Sequence, residues 1–257
     1  MIELKTPAEI ELMRRAGQVV AGLLDHLAEL ARAGTKTKVL DDAARSYLRQ
    51  AGATPAFLGY RGYPAAICVS VNEEVVHGIP GERQIEHGDV VSIDAGAVVS
   101  GFYADAAITV MVGAVSPEVR RLVETTRRAL AAGIGQARIG NRLSDISYAV
   151  QQVIEPEGFG IVKEFVGHGI GRAMHEDPPI PNFGEPHLGP RLHRGMVLAI
   201  EPMVTLGDEA VEIREDGWTA VTKDRSVAAH VEHTVAVTEE GGQILTTAHA
   251  AVRGEHS

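Results

Sequence analysis

Ser92-Ile93-Asp94-Ala95-Gly96-Ala97-Val98-Val99-Ser100-Gly101-Phe102-Tyr103-Ala104-Asp105-Ala106 decides how the rest of this chain folds. Apolar residues alternate before Asp94 (Val91, Ile93) and the run Ile108 to Val112 follows Asp105, so the stretch reads as two strands joined by a turn at Ser100-Gly101. A loop of two or four residues puts Asp94 and Asp105 on the same face, with Cβ atoms about 4.5–8 Å apart. Two carboxylates that close repel unless one takes up a proton or a cation lies between them. A metal site is the economical reading; a solvated hairpin with two exposed acids is the alternative this stretch alone leaves open.

The composition narrows the class. With 45% hydrophobic and 23% charged residues, the 257-residue chain has the balance of a globular protein, forming one large domain or two small ones. A formal net charge of -10, with no concentration of Lys and Arg, argues against a nucleic-acid surface. Cys68 is the single cysteine, so there is no intrachain disulfide and no four-cysteine zinc module, as suits a reducing compartment. Met1-Ile2-Glu3-Leu4-Lys5 lacks the apolar core of a signal peptide, and no apolar run reaches the roughly 18 residues of a membrane span. A cytoplasmic protein without membrane contact is expected.

Thr6-Pro7-Ala8-Glu9 is a capping box, and it launches a helix with the stripe Ile10, Met13, Val20, Leu23, Leu24, Leu27 and Leu30, ended by Gly34. A second helix spans about 37–50, with Asp41 and Asp42 near its positive end and Gly52 beyond it. Phe57 to Pro64 is too rich in glycine and proline for a regular element and carries Tyr60 and Tyr63. A strand over 65–71 and a loop over 72–80 holding His77 precede the hairpin. The pattern then restarts: Ser116-Pro117 caps a third helix to about 132, and a fourth covers about 144–157. Strands follow at 160–166, 196–201, 211–222 and 228–238. Helix, helix, strands, twice over, predicts an α+β fold of two similar halves, about 1–114 and 115–248, within one domain; 249–257 read as a flexible tail.

The second half adds its own chemistry. Gly167-His168-Gly169-Ile170-Gly171 sets a histidine among glycines, where backbone must approach something closely or turn sharply. His175 follows seven residues later, a spacing that does not fit the helical two-histidine zinc motif. Glu201 ends an apolar strand, where an acid is costly unless paired or bound to metal. His230, Glu232 and Thr234 share one strand face. Singly, each reads as a satisfied polar group; together, two aspartates, a histidine and two glutamates suit a pair of divalent cations about 3.5–4 Å apart.

The spacing Asp94, Asp105, His168, Glu201, Glu232, with Val-Asn-Glu-Glu-Val-Val-His-Gly-Ile-Pro, Gly-His-Gly-Ile-Gly-Arg, Ala-Ile-Glu-Pro-Met and Val-Glu-His-Thr around them, resembles a bacterial type I methionine aminopeptidase of the M24 metallopeptidase family from Thr6 to about Leu245. The resemblance implies the pita-bread fold, with antiparallel sheet around a dinuclear site. It makes Asp94 a ligand of one cation, Asp105 and Glu232 bridging ligands, and His168 and Glu201 ligands of the other; cobalt, manganese, iron or zinc would serve. A metal-bridging water would attack the first carbonyl of a peptide, with Glu201 handling its proton, His175 polarising the carbonyl and His77 bonding the scissile or following amide.

By the same resemblance, Tyr60, Tyr63, Cys68, Met174, Met203 and Trp218 wall a slot for a methionine side chain, which sulfur and aromatic groups suit. Many relatives carry phenylalanine where Met174 stands and glutamine where His230 stands. The N-termini of nascent proteins with a small second residue would be the substrates; the sequence itself shows no ribosome contact, and a monomer is the default. Two rivals compete: a proline-specific peptidase of the same fold, which usually carries a further N-terminal domain, and a peptide-binding protein that has lost catalysis, which would be expected to lack ligands.

Overall fold

The structure, a computed structural model, describes residues 1–247; the tail expected at 249–257 lies outside them. Helix α1 (Pro7–Leu30) starts as its capping box requires: Thr6 Oγ1 accepts from Glu9 N at 3.3 Å, and the Glu9 carboxylate accepts from Thr6 N at 2.8 Å. It ends at Leu30, four residues short of Gly34, because the chain from Thr35 onward bonds sideways: Thr37 N donates to Arg83 O, and Ile85 N to Thr35 O, both at 2.9 Å. Helix α2 (Thr37–Gln50) follows as expected. The first-half strands are β1 (Thr54–Pro55), β2 (Ile67–Val71), β3 (Glu74–Val76), β4 (Val90–Val99) and β5 (Phe102–Met111).

The second half opens with α3 (Pro117–Gln136) and α4 (Leu143–Ile154). Its strands are β6 (Gly160–Ile161), β7 (Gly167–Gly169), β8 (Glu176–Ile180), β9 (Val197–Ile200), β10 (Met203–Thr205), β11 (Val211–Ile213), β12 (Ala220–Thr222), β13 (Ala228–His230), β14 (Glu232–Val237) and β15 (Gly242–Ile244).

One antiparallel sheet crosses both halves in the order β1-β4-β5-β14-β9-β7-β8, with β2 on β4 and β15 on β14. The seam between the halves is β5 against β14. Alternation assigns the two faces. Val91, Ile93, Ala95 and Ala97 of β4 and Ala104 and Ala106 of β5 pack under α1 and α2 with Val20, Leu23, Leu27, Leu40 and Leu48. In the second half, Ile146 of α4 and Leu130 and Ile134 of α3 meet Leu198, Ile200 and Val235. The helices therefore cover one face, and the opposite face is left for the acids.

Several strand expectations are corrected. The stretch 211–222 is a hairpin, not one strand: Gly217 takes φ +76°, and Asp216 Oδ1 accepts from Trp218 N and Thr219 N, both at 2.8 Å. The stretch 228–238 breaks at Val231, so β13 belongs to the small sheet β13-β10-β6 and β14 to the large one. The strand expected over 160–166 is only two residues long. The loop over 72–80 contains β3, which pairs with β12.

Candidate metal centre

The hairpin turns through Ser100 (φ +52°) and Gly101 (φ +79°), with Val99 paired to Phe102. That two-residue loop fixes the register, so Asp94 lies opposite Ala107 and Asp105 opposite Gly96. Both carboxylates therefore point away from α1 and α2. Ala107 is also the partner of Glu232 on β14, so Asp94 and Glu232 stand in one row, with Asp105 next along that face.

His168 arrives on β7, between β8 and β9, opposite Ala199. A Cβ on Gly167 would overlap the Ala199 carbonyl, and one on Gly169 the Asp177 carbonyl, so only glycine lets β7 lie this close to its neighbours. A carbonyl can only accept, so the 2.9 Å contact between His168 Nδ1 and Gly169 O fixes the proton on Nδ1 and leaves a lone pair on Nε2. That nitrogen lies 3.5 Å from Glu201 Oε1. Glu201 follows β9 directly, and Asn182 Nδ2 donates to its carbonyl at 3.0 Å.

The five residues thus converge, and the electrostatics of their meeting are severe. Burial pushes the Glu201 carboxyl up to about 8 and the Asp94 carboxyl up to about 6. Burial, then the neighbouring acids, hold Asp105 and Glu232 well above the usual carboxylate range. Burial also pushes the His168 imidazole down to about 4. Asp94 Oδ1, Asp105 Oδ1 and Glu232 Oε1 are buried with no hydrogen-bond partner among the described residues. Orphaned acceptors beside a neutral imidazole are what a divalent cation satisfies, since its charge reverses the repulsion. Ligand atoms of Asp105, His168 and Glu232 lie within 4.8 Å of one another, as do those of Glu201, His230 and Glu232. The residues fit a metal.

Beside them lies a cavity of about 160 Å³. Tyr60, Tyr63, Cys68, Met174 and Trp218 line it, and so do Phe57 and Arg61, which the sequence reading missed. Cys68 is the cross-strand partner of Asp94, which carries the slot up to the acids. Met203, expected in the wall, is fully buried elsewhere, among Val75, Val162 and Ala220. Its strand runs into the small sheet opposite His230, so its side chain is spent on packing. The Tyr63 hydroxyl sits 3.0 Å from Gly78 O and 3.2 Å from Ile67 O, and its ring meets Trp218 edge-on at 5.1 Å.

His175 and His77 flank the acids. The His175 ring lies 4.2 Å from that of His168 between centroids, tilted 45° to it, and its Nδ1 lies 2.8 Å from the Tyr60 hydroxyl. His77 takes φ +60° and stands edge-on to Phe165 at 5.3 Å; burial pushes it down to about 4. Burial, then the Arg61 charge, also pushes the His175 imidazole below its usual value, so both imidazoles act as neutral hydrogen-bonding groups near pH 7. His230, which the sequence sets on one strand face with Glu232 and marks as a departure from relatives but not as a ligand, is 2% exposed and joins the cluster.

Residues 11–239 match the model of metallopeptidase family M24. The chain is 49% identical over 246 residues to methionine aminopeptidase 1 of Bacillus subtilis, covering 96% of this chain and 99% of that one. The crystal structure of methionine aminopeptidase from Thermotoga maritima superposes with a TM-score of 0.95 at 47% identity, covering 96% of this chain and all of that one. Prolidase from Pyrococcus furiosus, at 24% identity, a TM-score of 0.76 and 65% coverage of its own length, shares the fold.

Proposed function

The chain belongs to metallopeptidase family M24, and from that premise we propose that it is a metal-dependent aminopeptidase that removes the N-terminal methionine of proteins. The observation that carries the proposal is the row of buried, partnerless carboxylates opening onto a slot of sulfur and aromatic side chains. Asp94, Asp105, His168, Glu201 and Glu232 would hold two divalent cations, drawn from manganese, iron, cobalt and zinc. Such a pair, when bound, acidifies a shared water and polarises a carbonyl.

The other residues bind, orient and move protons. Cys68, Met174, Tyr63 and Trp218 enclose a thioether by dispersion and shape. If the Tyr60 hydroxyl donates to His175 Nδ1, the remaining proton sits on Nε2, where it can donate to the carbonyl oxygen as that oxygen gains charge. His77 is held between Phe165 and Trp218 to bond the scissile or following amide. Glu201, at the end of β9, is the group to accept a proton from the attacking water and pass it to the leaving amine.

We further propose residues 1–248 as the catalytic unit, acting as a monomer in the cytoplasm on nascent chains with a small second residue. No helix among the described residues is long and apolar enough to cross a membrane. The test compares Met-Ala-Ser with an Xaa-Pro peptide. Release of methionine alone supports the proposal; cleavage of the Xaa-Pro peptide alone selects the proline-specific reading, and silence on both selects a binding protein.

A further inference from the structure

We propose that His230 is a sixth protein ligand of the metal centre, so that each of two cations has an imidazole of its own. This rests on the metallopeptidase reading above and adds a residue to it.

His230 closes β13, where the chain leaves the small sheet for β14. Its backbone is fixed: its N–H faces Thr109 Oγ1 at 3.1 Å and Ser92 Oγ at 3.3 Å, and its carbonyl accepts from Thr109 Oγ1 at 2.6 Å. The side chain is 2% exposed, and Nε2 is buried without a hydrogen-bond partner among the described residues. A ring nitrogen so placed is costly in either tautomer unless something binds it.

The nearest charged group is Glu201, whose Oε2 lies 3.6 Å from His230 Nε2. On its other side, Glu201 Oε1 lies 3.5 Å from His168 Nε2. Glu201 therefore stands between two imidazoles, one oxygen toward each. Both gaps exceed an ordinary N–H···O distance. Two ligands of a tetrahedral ion with bonds of about 2.0–2.2 Å stand roughly 3.3–3.6 Å apart, so each gap suits a cation of its own held between that imidazole and the Glu201 oxygen facing it. The trio Glu201, His230, Glu232 meets the same 4.8 Å criterion as the trio Asp105, His168, Glu232. Glu232 is common to both, as a bridging carboxylate must be.

An added imidazole favours cobalt, zinc and iron over manganese, which prefers oxygen. The test strips the full chain of metal and reloads it with Co²⁺. Two hyperfine-shifted, exchangeable imidazole N–H resonances are expected in the wild type and one in His230→Gln. Titration calorimetry of the same pair should find Co²⁺ and Zn²⁺ binding at one site weakened about 10–100-fold, with Mn²⁺ changed far less. A single shifted resonance in the wild type, two in the variant, or unchanged affinities would overturn the proposal. Should the variant not fold, the wild-type resonance count decides alone. Resonance counts do not depend on turnover, so a failure of the peptidase reading, no methionine released with any metal, is seen separately.

Discussion

Asp94 and Glu232 stand in one row of the main sheet, each the cross-strand partner of Ala107 from opposite sides. One carboxylate belongs to the first half and the other to the second, so the β5–β14 seam that joins the halves also assembles the site.

Metal and fold are linked through the crowded acids. Asp105→Asn replaces a carboxyl whose ionisation burial and the neighbouring acids oppose with a permanently neutral amide, so the metal-free variant is expected to be about 1 kcal/mol more stable than metal-free wild type. Saturating Mn²⁺ at about 100 times Kd should stabilise wild type by about 2.7 kcal/mol and the variant by clearly less. Thermal unfolding with and without Mn²⁺ checks both; equal responses of the two proteins would contradict the linkage.

The approach of β7 to its neighbours depends on glycine. Gly169→Ala drives a Cβ into the Asp177 carbonyl, on the residue directly after His168, so β7 and β8 must part at the site. A loss of about 1–3 kcal/mol in chemical denaturation is expected, together with weaker metal binding. A silent Gly169→Ala would show that β7 has room to move.

His175 and its tyrosine should affect turnover and leave metal content alone. His175→Ala is expected to lower kcat about 100–1,000-fold, the range for a lost oxyanion donor. Tyr60→Phe, which removes the hydroxyl 2.8 Å from His175 Nδ1, should lower it less. Elemental analysis of both variants checks the assignment, since loss of metal from His175→Ala would make it a ligand.

Acid sensitivity should appear away from the site, at the start of α4. Burial alone would raise the Asp145 carboxyl, but N–H groups of Arg142 and His187, each at 2.7 Å, together hold it below the usual carboxylate range. Its folded pKa is depressed, so its stabilisation is present above the unfolded value near 3.9 and is lost as pH falls through the folded one. Asp145→Ala should cost about 1–2 kcal/mol at pH 6, with the difference shrinking below about pH 4. Denaturant titrations of the two proteins from pH 6 to pH 3 measure it.

The sequence carried the hairpin and its consequences because a two-residue loop converts residue parity into facing: once Ser100-Gly101 is the turn, Asp94 and Asp105 must share a face. The capping box at Thr6 likewise announced α1. What was not legible depends on partners distant in sequence. The break at Val231 arises because β13 pairs with β10 while β14 pairs with β5 and β9, and no local pattern marks that division. Met203 looked like pocket wall by resemblance, yet its pairing with His230 turns it into packing. Phe57 and Arg61 gave no signal beyond membership of a glycine-rich stretch. His230 did give one, a titratable residue two positions before an acid on the same strand face.

The most direct measurement is methionine release from Met-Ala-Ser by the metal-stripped chain as Mn²⁺ or Co²⁺ is added back in equivalents. Release should be absent at the start and should level off near two equivalents per chain, with the Xaa-Pro peptide left intact throughout. Release that survives stripping, or cleavage confined to the Xaa-Pro peptide, would contradict a two-cation methionine aminopeptidase.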